Sequence, residues 1–132
     1  MSNTPKNATS RRKRVLVAED DPAIAALLQR ALTKEYDVVV AEDGPTAVAK
    51  AALEPYPEVV LLDIMMPGID GFGVADRLRM MPPLKRVPIL FITARDAPMD
   101  VVKGIQHGAR SYITKPFKLD DVLNKVRKAA GG

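Results

Sequence analysis

The sequence contains no cysteine, no tryptophan and a single histidine, and it has no long apolar stretch. Without cysteine, the chain can form neither a disulfide framework nor a thiolate metal site. No stretch approaches the roughly 20 apolar residues that a membrane-spanning helix needs. The basic N-terminal stretch is not followed by the apolar segment of a secretory signal. We therefore expect a cytoplasmic protein that does not bind membranes.

The positive charge of the chain is concentrated at its N-terminus. The formal net charge is +4, and five basic residues precede the first predicted strand: Lys6, Arg11, Arg12, Lys13 and Arg14. The other 15 of the 20 basic residues lie in 15–132, together with all 16 acidic residues. The folded part therefore lacks the basic surface that nucleic-acid binding requires. Any such binding would rest on residues 1–13, which we expect to form a disordered tail.

Short apolar runs alternate with helical patterns along the rest of the chain. The runs predict five strands, at 15–18, 38–41, 59–62, 89–92 and 111–113. A hydrophobic content of 47% over 132 residues is that of one globular domain. We assign this domain to residues 14–129 and expect a flexible C-terminus at 130–132.

Five segments between or after the strands predict helices. Two of them carry a regular apolar stripe, one formed by Ile24, Leu27, Leu28, Ala31 and Leu32, the other by Leu119, Val122, Leu123 and Val126. The other three, at 44–53, 70–80 and 97–106, are less regular. Because strands buried on both faces need helices on both sides, we predict an α/β fold with a three-layer sandwich and a parallel sheet. The common order for such a sheet is 2-1-3-4-5.

Acidic residues follow two strands that this order makes neighbours. Asp63 ends the apolar run at 59–62, and Glu19 and Asp20 follow the first strand. Asp21, followed by Pro22, is typical of a helix N-cap. Carboxylates 4 Å apart repel by roughly 4 kcal/mol at an effective dielectric near 20. A shared proton or, better, Mg²⁺ with its preference for oxygen ligands would offset this repulsion.

Two further polar groups follow the fourth and fifth strands. Thr93 provides a hydroxyl, and Lys115 provides a mobile cation. A carboxylate nucleophile, a metal site, a hydroxyl donor and an ammonium group are the components that phosphoryl transfer requires. This pattern predicts that Asp63 is the nucleophile.

The sequence resembles the receiver domain of two-component response regulators, which has a flavodoxin-like fold. The resemblance rests on "EDD" after strand 1, "DIMMPGIDG" after strand 3, "TA" after strand 4 and "KPF" after strand 5. The spacings of 30 residues from Asp63 to Thr93 and 22 residues from Thr93 to Lys115 also agree with the family. The match covers residues 14–129.

The resemblance implies a role for each motif residue. Asp63 would be the phosphoacceptor, and Thr93 and Lys115 would contact the phosphoryl group. Glu19 and Asp20 would hold Mg²⁺ together with Asp63 and the main-chain carbonyl of Met65. Tyr112 would be a switch residue that rotates inward as Thr93 moves onto the phosphoryl group. The peptide bond before Pro116 is cis in the family.

The resemblance also implies partners and an output surface. A histidine kinase or a phosphotransfer protein would phosphorylate the domain, and a downstream protein would bind the 97–106 helix, the fifth strand and the last helix. The family varies at the positions of Met65 and Arg95, which set the lifetime of the acyl phosphate. Neither residue offers a carboxylate or an amide to orient water, so we expect slow self-dephosphorylation.

Two questions about the protein as a whole remain open at this point. The chain is either a stand-alone receiver or the excised regulatory domain of a longer DNA-binding response regulator. Such regulators often dimerise through an acidic pair before the switch tyrosine, where this chain has Arg110 and Ser111. This difference favours a stand-alone receiver that is a monomer or a weak phosphorylation-dependent dimer.

The sequence features argue against two functions other than a phosphorylation switch. A phosphatase of the haloacid dehalogenase type also forms an aspartyl phosphate, but it needs a second aspartate as general acid two residues after the nucleophile, where this chain has Met65. A silent interaction module would have no reason to retain the full set of site residues. We therefore do not expect an enzyme that acts on outside substrates.

Overall fold

The computed structural model describes residues 12–94 and 98–131. Within these ranges, five strands and five α-helices alternate along the chain. The strands are β1 (Arg14–Ala18), β2 (Asp37–Ala41), β3 (Val59–Asp63), β4 (Ile89–Ala94) and β5 (Ser111–Lys115). The helices are α1 (Pro22–Leu32), α2 (Gly44–Ala51), α3 (Gly71–Arg79), α4 (Pro98–Gln106) and α5 (Leu119–Ala129). The predicted tail lies outside the described residues as far as residue 11, and so does residue 132.

The five strands form one parallel sheet of order β2-β1-β3-β4-β5, as predicted. In its register Ala18 pairs with Leu62, and Asp63 pairs with Ile92. Thr93 is the next residue of β4 and pairs with Thr114 of β5. The carboxyl ends of the four strands β1, β3, β4 and β5 therefore lie side by side at one edge of the sheet.

Helices cover both faces of the sheet and create two apolar cores. On one face α1 and α5 pack against β1 and β3, where Leu28 and Val126 lie in the same core as Leu61. On the other face α2 and α3 pack around a core that contains Leu62 and Phe72. Successive residues of β3 thus point into opposite cores, which explains why its apolar run is continuous and fully buried.

Two helices differ from the sequence predictions, one in its buried face and one in its end. Leu27 is 39% exposed, whereas Ala25 is buried, so the apolar stripe of α1 is rotated slightly from the predicted one. Ala52 is exposed because α2 ends at Ala51. None of the helices in the described part of the chain is long and apolar enough to span a membrane.

Aspartate residues are the N-caps of three helices. Asp21 accepts hydrogen bonds from the main-chain N–H groups of Ala23 and Ile24, which confirms it as the N-cap of α1. Asp43 caps α2 and Asp70 caps α3 in the same way. At α5 the N-cap residue is Lys118, whose side chain makes no capping hydrogen bond.

We predict opposite effects from changing two of these caps. Asp70→Ala should destabilise the fold by about 1 kcal/mol, because the bond of 2.8 Å from the Gly73 N–H is lost. Lys118→Asp should stabilise it by about 0.5–1 kcal/mol by supplying a missing cap. Urea unfolding measures both changes. Asp70→Asn is the matched control and should be close to wild type; an equally large loss in this variant would contradict the capping role.

Candidate functional site

A cavity of about 350 Å³ opens at the carboxyl ends of β1, β3, β4 and β5. The sheet register brings the polar residues predicted from the sequence to this one cavity. Its lining includes Glu19, Asp20, Asp63, Thr93 and Lys115. The first two follow β1, and the other three belong to the last two positions of β3, β4 and β5.

Three carboxylates meet in the cavity. Glu19 and Asp63 are buried, with 1% and 4% of their surface exposed, whereas Asp20 is exposed. One carboxylate oxygen from each residue lies within 4.8 Å of the others. Glu19 also has a structural contact that the sequence did not predict, because its Oε2 accepts a hydrogen bond of 3.1 Å from the main-chain N–H of Asp21.

Lys115 supplies the opposing positive charge. Its Nζ lies 3.0 Å from Oε1 of Glu19 and 3.5 Å from Oδ2 of Asp63. Burial lowers the pKa of Lys115, but the ion pair with Glu19 and the charge of Asp63 outweigh this effect, so the pKa is above its usual value. Lys115 therefore keeps its charge at neutral pH. The peptide bond from Lys115 to Pro116 is cis.

The carboxyl group of Asp63 is an unusually weak acid. Burial is the main cause, and the hydrogen bond and negative charge of Glu19 add to it. Lys115 and the main-chain N–H of Met65, which is 3.3 Å from Oδ1, act in the opposite direction. The net result raises the pKa of Asp63 to about 7.

The donor set of the cavity fits a hard divalent cation. Apart from the ammonium group of Lys115, no hydrogen-bond donor among the described residues reaches Oε1 of Glu19, although this oxygen is fully buried. Three carboxylate oxygens at mutual distances within 4.8 Å match the oxygen ligands that Mg²⁺ prefers. A cation at this point would offset both the burial and the negative charge of Glu19, which together raise the pKa of Asp63.

Thr93 and Met65 flank Asp63. Thr93 is 4% exposed, and its hydroxyl makes one long contact of 3.4 Å to the carbonyl of Ala94, so it can donate to a group that enters the cavity. Met65 lines the same cavity, while its side chain is 75% exposed. Arg95 lies outside the described residues.

Tyr112 lies outside the cavity, on the face of β5 that α4 covers. It is half-buried, and its hydroxyl donates a hydrogen bond of 2.6 Å to the carbonyl of Val101 in α4. Its ring stacks on that of Phe91 with 6.4 Å between the centroids. The switch candidate is thus linked to α4 rather than directly to Asp63.

Two features of α4 were not predicted from the sequence. Asp100, in its first turn, lines the same cavity as Asp63. His107, which follows α4, lies 2.6 Å from Oδ1 of Asp76 in α3 and packs against the ring of Phe72. An acidic residue in a first turn usually serves the helix dipole, so no sequence signal pointed to the cavity.

Comparison with known proteins assigns the family. The model of the response regulator receiver domain family matches residues 15–127. The chain belongs to this family, whose members act as phosphoryl-accepting switches in two-component signalling and bind Mg²⁺ at an acidic cluster.

Relatives of the chain include both long and short proteins. It is 45% identical over 111 residues to response regulator PleD of Caulobacter vibrioides and 47% identical over 117 residues to transcriptional regulatory protein TcrA of Mycobacterium tuberculosis. These matches cover 83% and 86% of this chain but only 24% and 44% of the relatives, so the chain spans less than half of their length. Chemotaxis protein CheY4 of Vibrio cholerae superposes with a TM-score of 0.84 and 29% identity, covering 89% of this chain and 98% of that one.

The weak acid of Asp63 predicts a pH-dependent stability. The pKa of about 7 in the folded state exceeds the ordinary value of 3.8 for an aspartate, so between pH 4 and 7 the folded chain binds more protons than the unfolded chain. Stability should therefore fall as pH rises through this range. Asp63→Asn should remove this loss and be more stable at pH 8 by about 1–2 kcal/mol, less than the full repulsion of two carboxylates because Lys115 offsets part of it.

Urea unfolding in EDTA at several pH values measures this difference. The advantage of Asp63→Asn should shrink towards pH 4, where the wild-type carboxyl is protonated, and millimolar Mg²⁺ should reduce it at pH 8. Asp120→Asn, at an exposed position of α5, is the control and should show no such pH dependence. An advantage of the same size at pH 4 and pH 8 would show that charge is not its cause.

Proposed function

We propose that this chain is a phosphorylation-dependent signalling switch that accepts a phosphoryl group on Asp63. The donor is the phosphohistidine of a histidine kinase or a phosphotransfer protein, and the cation is Mg²⁺. The observation that carries the proposal is the position of Asp63, which lines an open cavity with an ammonium group 3.5 Å away and a hydroxyl donor beside it. Residues 14–129 form the receiver domain, which acts in the cytoplasm.

The reaction is an in-line displacement at phosphorus. A carboxylate oxygen of Asp63 forms the new O–P bond while the N–P bond to the donor histidine breaks, and the imidazole leaves with the electron pair of that bond. Lys115 neutralises negative charge on the equatorial oxygens, and the Thr93 hydroxyl donates to one of them. When bound by Glu19, Asp20, Asp63 and the Met65 carbonyl, Mg²⁺ supplies further charge neutralisation.

Phosphorylation then shifts a conformational equilibrium. Thr93 moves towards the phosphoryl group, Tyr112 rotates inward, and the surface of α4, β5 and α5 changes for a downstream protein. Met99, Val102 and Ile105 of α4 support this surface because they are 68%, 47% and 66% exposed. A change from 1:99 to 99:1 would require about 5.5 kcal/mol, which is a large demand on one hydroxyl and one ammonium contact, so we propose a partial shift.

The site favours a switch over an enzyme that turns over outside phosphomonoesters. A phosphatase with an aspartyl phosphate needs a general acid near the nucleophile. The residue two positions after Asp63 is Met65, whose thioether has no proton to donate. The domain therefore promotes only its own phosphorylation and dephosphorylation.

We further propose a stand-alone receiver that is a monomer or a weak phosphorylation-dependent dimer. Arg110 and Ser111 support this proposal because they replace the acidic pair through which DNA-binding members of the family dimerise. The alternative is the regulatory domain of a longer DNA-binding response regulator, which is favoured by relatives that are named transcriptional regulatory proteins and are more than twice as long as their matched part.

Intact-mass measurement tests the acceptor role. After incubation with acetyl phosphate and Mg²⁺, the wild-type chain should gain the mass of one phosphoryl group, because the Asp63 carboxylate lies 3.5 Å from Nζ of Lys115 and belongs to the acidic cluster that would hold the cation. Asp63→Asn should gain none, and EDTA should suppress the gain in wild type. A mass gain that persists in Asp63→Asn would refute the proposal.

The lifetime of the acyl phosphate provides a second measurement. Met65 offers no carboxylate or amide to orient an attacking water, so the phosphoryl group should persist for minutes or longer in the presence of Mg²⁺. Met65→Asn should shorten this lifetime several-fold, and Met80→Asn, at an exposed position after α3, is the control that should not. Loss of phosphate from wild type within seconds would contradict the expectation.

A further inference from the structure

Gly104 lies inside α4, where glycine is among the least favourable residues. The position is buried. A Cβ atom built at Gly104 would lie 2.5 Å from the hydroxyl oxygen of Tyr112 and 2.8 Å from its Cε1. Such distances are far below van der Waals contact, so no side chain can occupy this point while Tyr112 keeps its place. The missing side chain leaves a notch in the surface of α4.

The notch is filled by the edge of the Tyr112 ring. Beside it the hydroxyl of Tyr112 donates to the main-chain carbonyl of Val101, at 2.6 Å. One face of the ring stacks on Phe91, which in turn packs on Phe72 with 5.2 Å between their centroids. Tyr112 is thus held by α4 on one side and by the core on the other.

The C-terminal end of α4 is tied separately to α3. His107 pairs with Asp76 at 2.6 Å, and the guanidinium group of Arg79 donates to the carbonyl of Gly108 at 3.1 Å. The first turn of α4 lies at the other end, where Asp100 lines the cavity around Asp63. Gly104 lies between these two ends, so the notch is placed to link the position of α4 to the side chain of Tyr112.

We propose that Gly104 is a positioning residue of the switch, because its notch allows Tyr112 to dock against α4. The inference rests on the proposed role of Tyr112 and takes its docked position, with the ring on Phe91 and the hydroxyl on the Val101 carbonyl, as the inward arrangement that phosphorylation favours. Gly104 then decides how readily this arrangement is adopted. Any side chain at position 104 disfavours this arrangement, whatever the phosphorylation state of Asp63. Sequence change at this position would therefore alter signal output without touching the phosphorylation site.

An unfolding cycle without phosphorylation tests the notch. Gly104→Ala should lower the urea midpoint of wild type, because the clash with Tyr112 outweighs the better helix propensity of alanine. In a Tyr112→Ala background, the same change should raise the midpoint. Gln106→Ala, at an exposed position of α4, is the control and should have the same sign in both backgrounds. If Gly104→Ala raises the midpoint equally in both backgrounds, the notch does not exist.

Binding of beryllium fluoride with Mg²⁺, a mimic of the phosphoryl group, tests the link to the site. Gly104→Ala should weaken this binding at least threefold, since the new methyl group disfavours the inward arrangement of Tyr112, and it should have no effect in the Tyr112→Ala background. Tyr112→Phe, which removes the atom closest to the new methyl group, should restore part of the affinity. Equal affinities for wild type and Gly104→Ala would refute the proposal.

The two experiments also separate this inference from the proposed function. If wild type neither binds beryllium fluoride nor gains a phosphoryl group on Asp63, the proposed function fails and the switch role of Gly104 falls with it, even when the unfolding cycle shows the sign reversal. If wild type is phosphorylated and Gly104→Ala leaves both the cycle and the binding unchanged, only the inference about Gly104 fails.

Discussion

The close approach of two buried carboxylates, Glu19 and Asp63, is the constraint on which the rest of the site depends. Like charges out of reach of water repel, and each also loses hydration. Their positions are imposed by the parallel register of β1 and β3, which places both groups at one end of the sheet. Lys115 compensates only in part, since the pKa of Asp63 stays well above its usual value. The unphosphorylated site therefore has an unmet demand for positive charge.

The sheet keeps this unfavourable arrangement from relaxing. β3 is buried at every position, and its residues alternate between the two cores. A displacement of Asp63 away from Glu19 would move Leu61 and Leu62 out of close-packed surroundings on both faces, which is costly in a protein interior. The packing of the apolar cores thus stabilises the fold enough to keep the repelling carboxylates at the edge of the sheet close together. The same strand, β3, therefore provides a rigid buried segment and, at its end, a carboxylate in an electrostatically unfavourable position.

The helix α4, whose first turn borders the cavity, is held in place differently from the strand ends that form the floor of the cavity. The floor consists of strand ends in a hydrogen-bonded sheet, whereas α4 and the turn after it are held by side-chain contacts. These include the contact of Val101 with Tyr112 of β5 and the contacts of His107 and Gly108 with Asp76 and Arg79 of α3. A helix held by a few side-chain contacts has alternative positions within a small range of free energy. Asp100, in the first turn of this helix, lines the same cavity as Asp63. The geometry therefore connects charge in the cavity to the exposed apolar side chains of α4.

The sequence alone was enough to predict the fold and to place five polar residues at one edge of the sheet. The continuous apolar run of β3 and the alternation of strands with amphipathic segments were enough to predict a parallel sheet covered on both faces. Because such strands all end at one edge, residues as distant as Glu19, Asp63 and Lys115 could be assigned to one cavity. These predictions succeeded because strand direction and burial are local properties of the chain.

Only the tertiary structure determined the properties that depend on distances between helices and strands. The contact of Gly104 with Tyr112, the pairing of His107 with Asp76 and the presence of Asp100 in the cavity follow from how α4 packs, which no periodicity encodes. The exposure of Leu27 follows from a small rotation of α1 on the sheet. The pKa of Asp63 likewise depends on ångström-scale separations from Glu19 and Lys115. Coulomb and packing energies change steeply over such distances, so only the assembled fold sets their values.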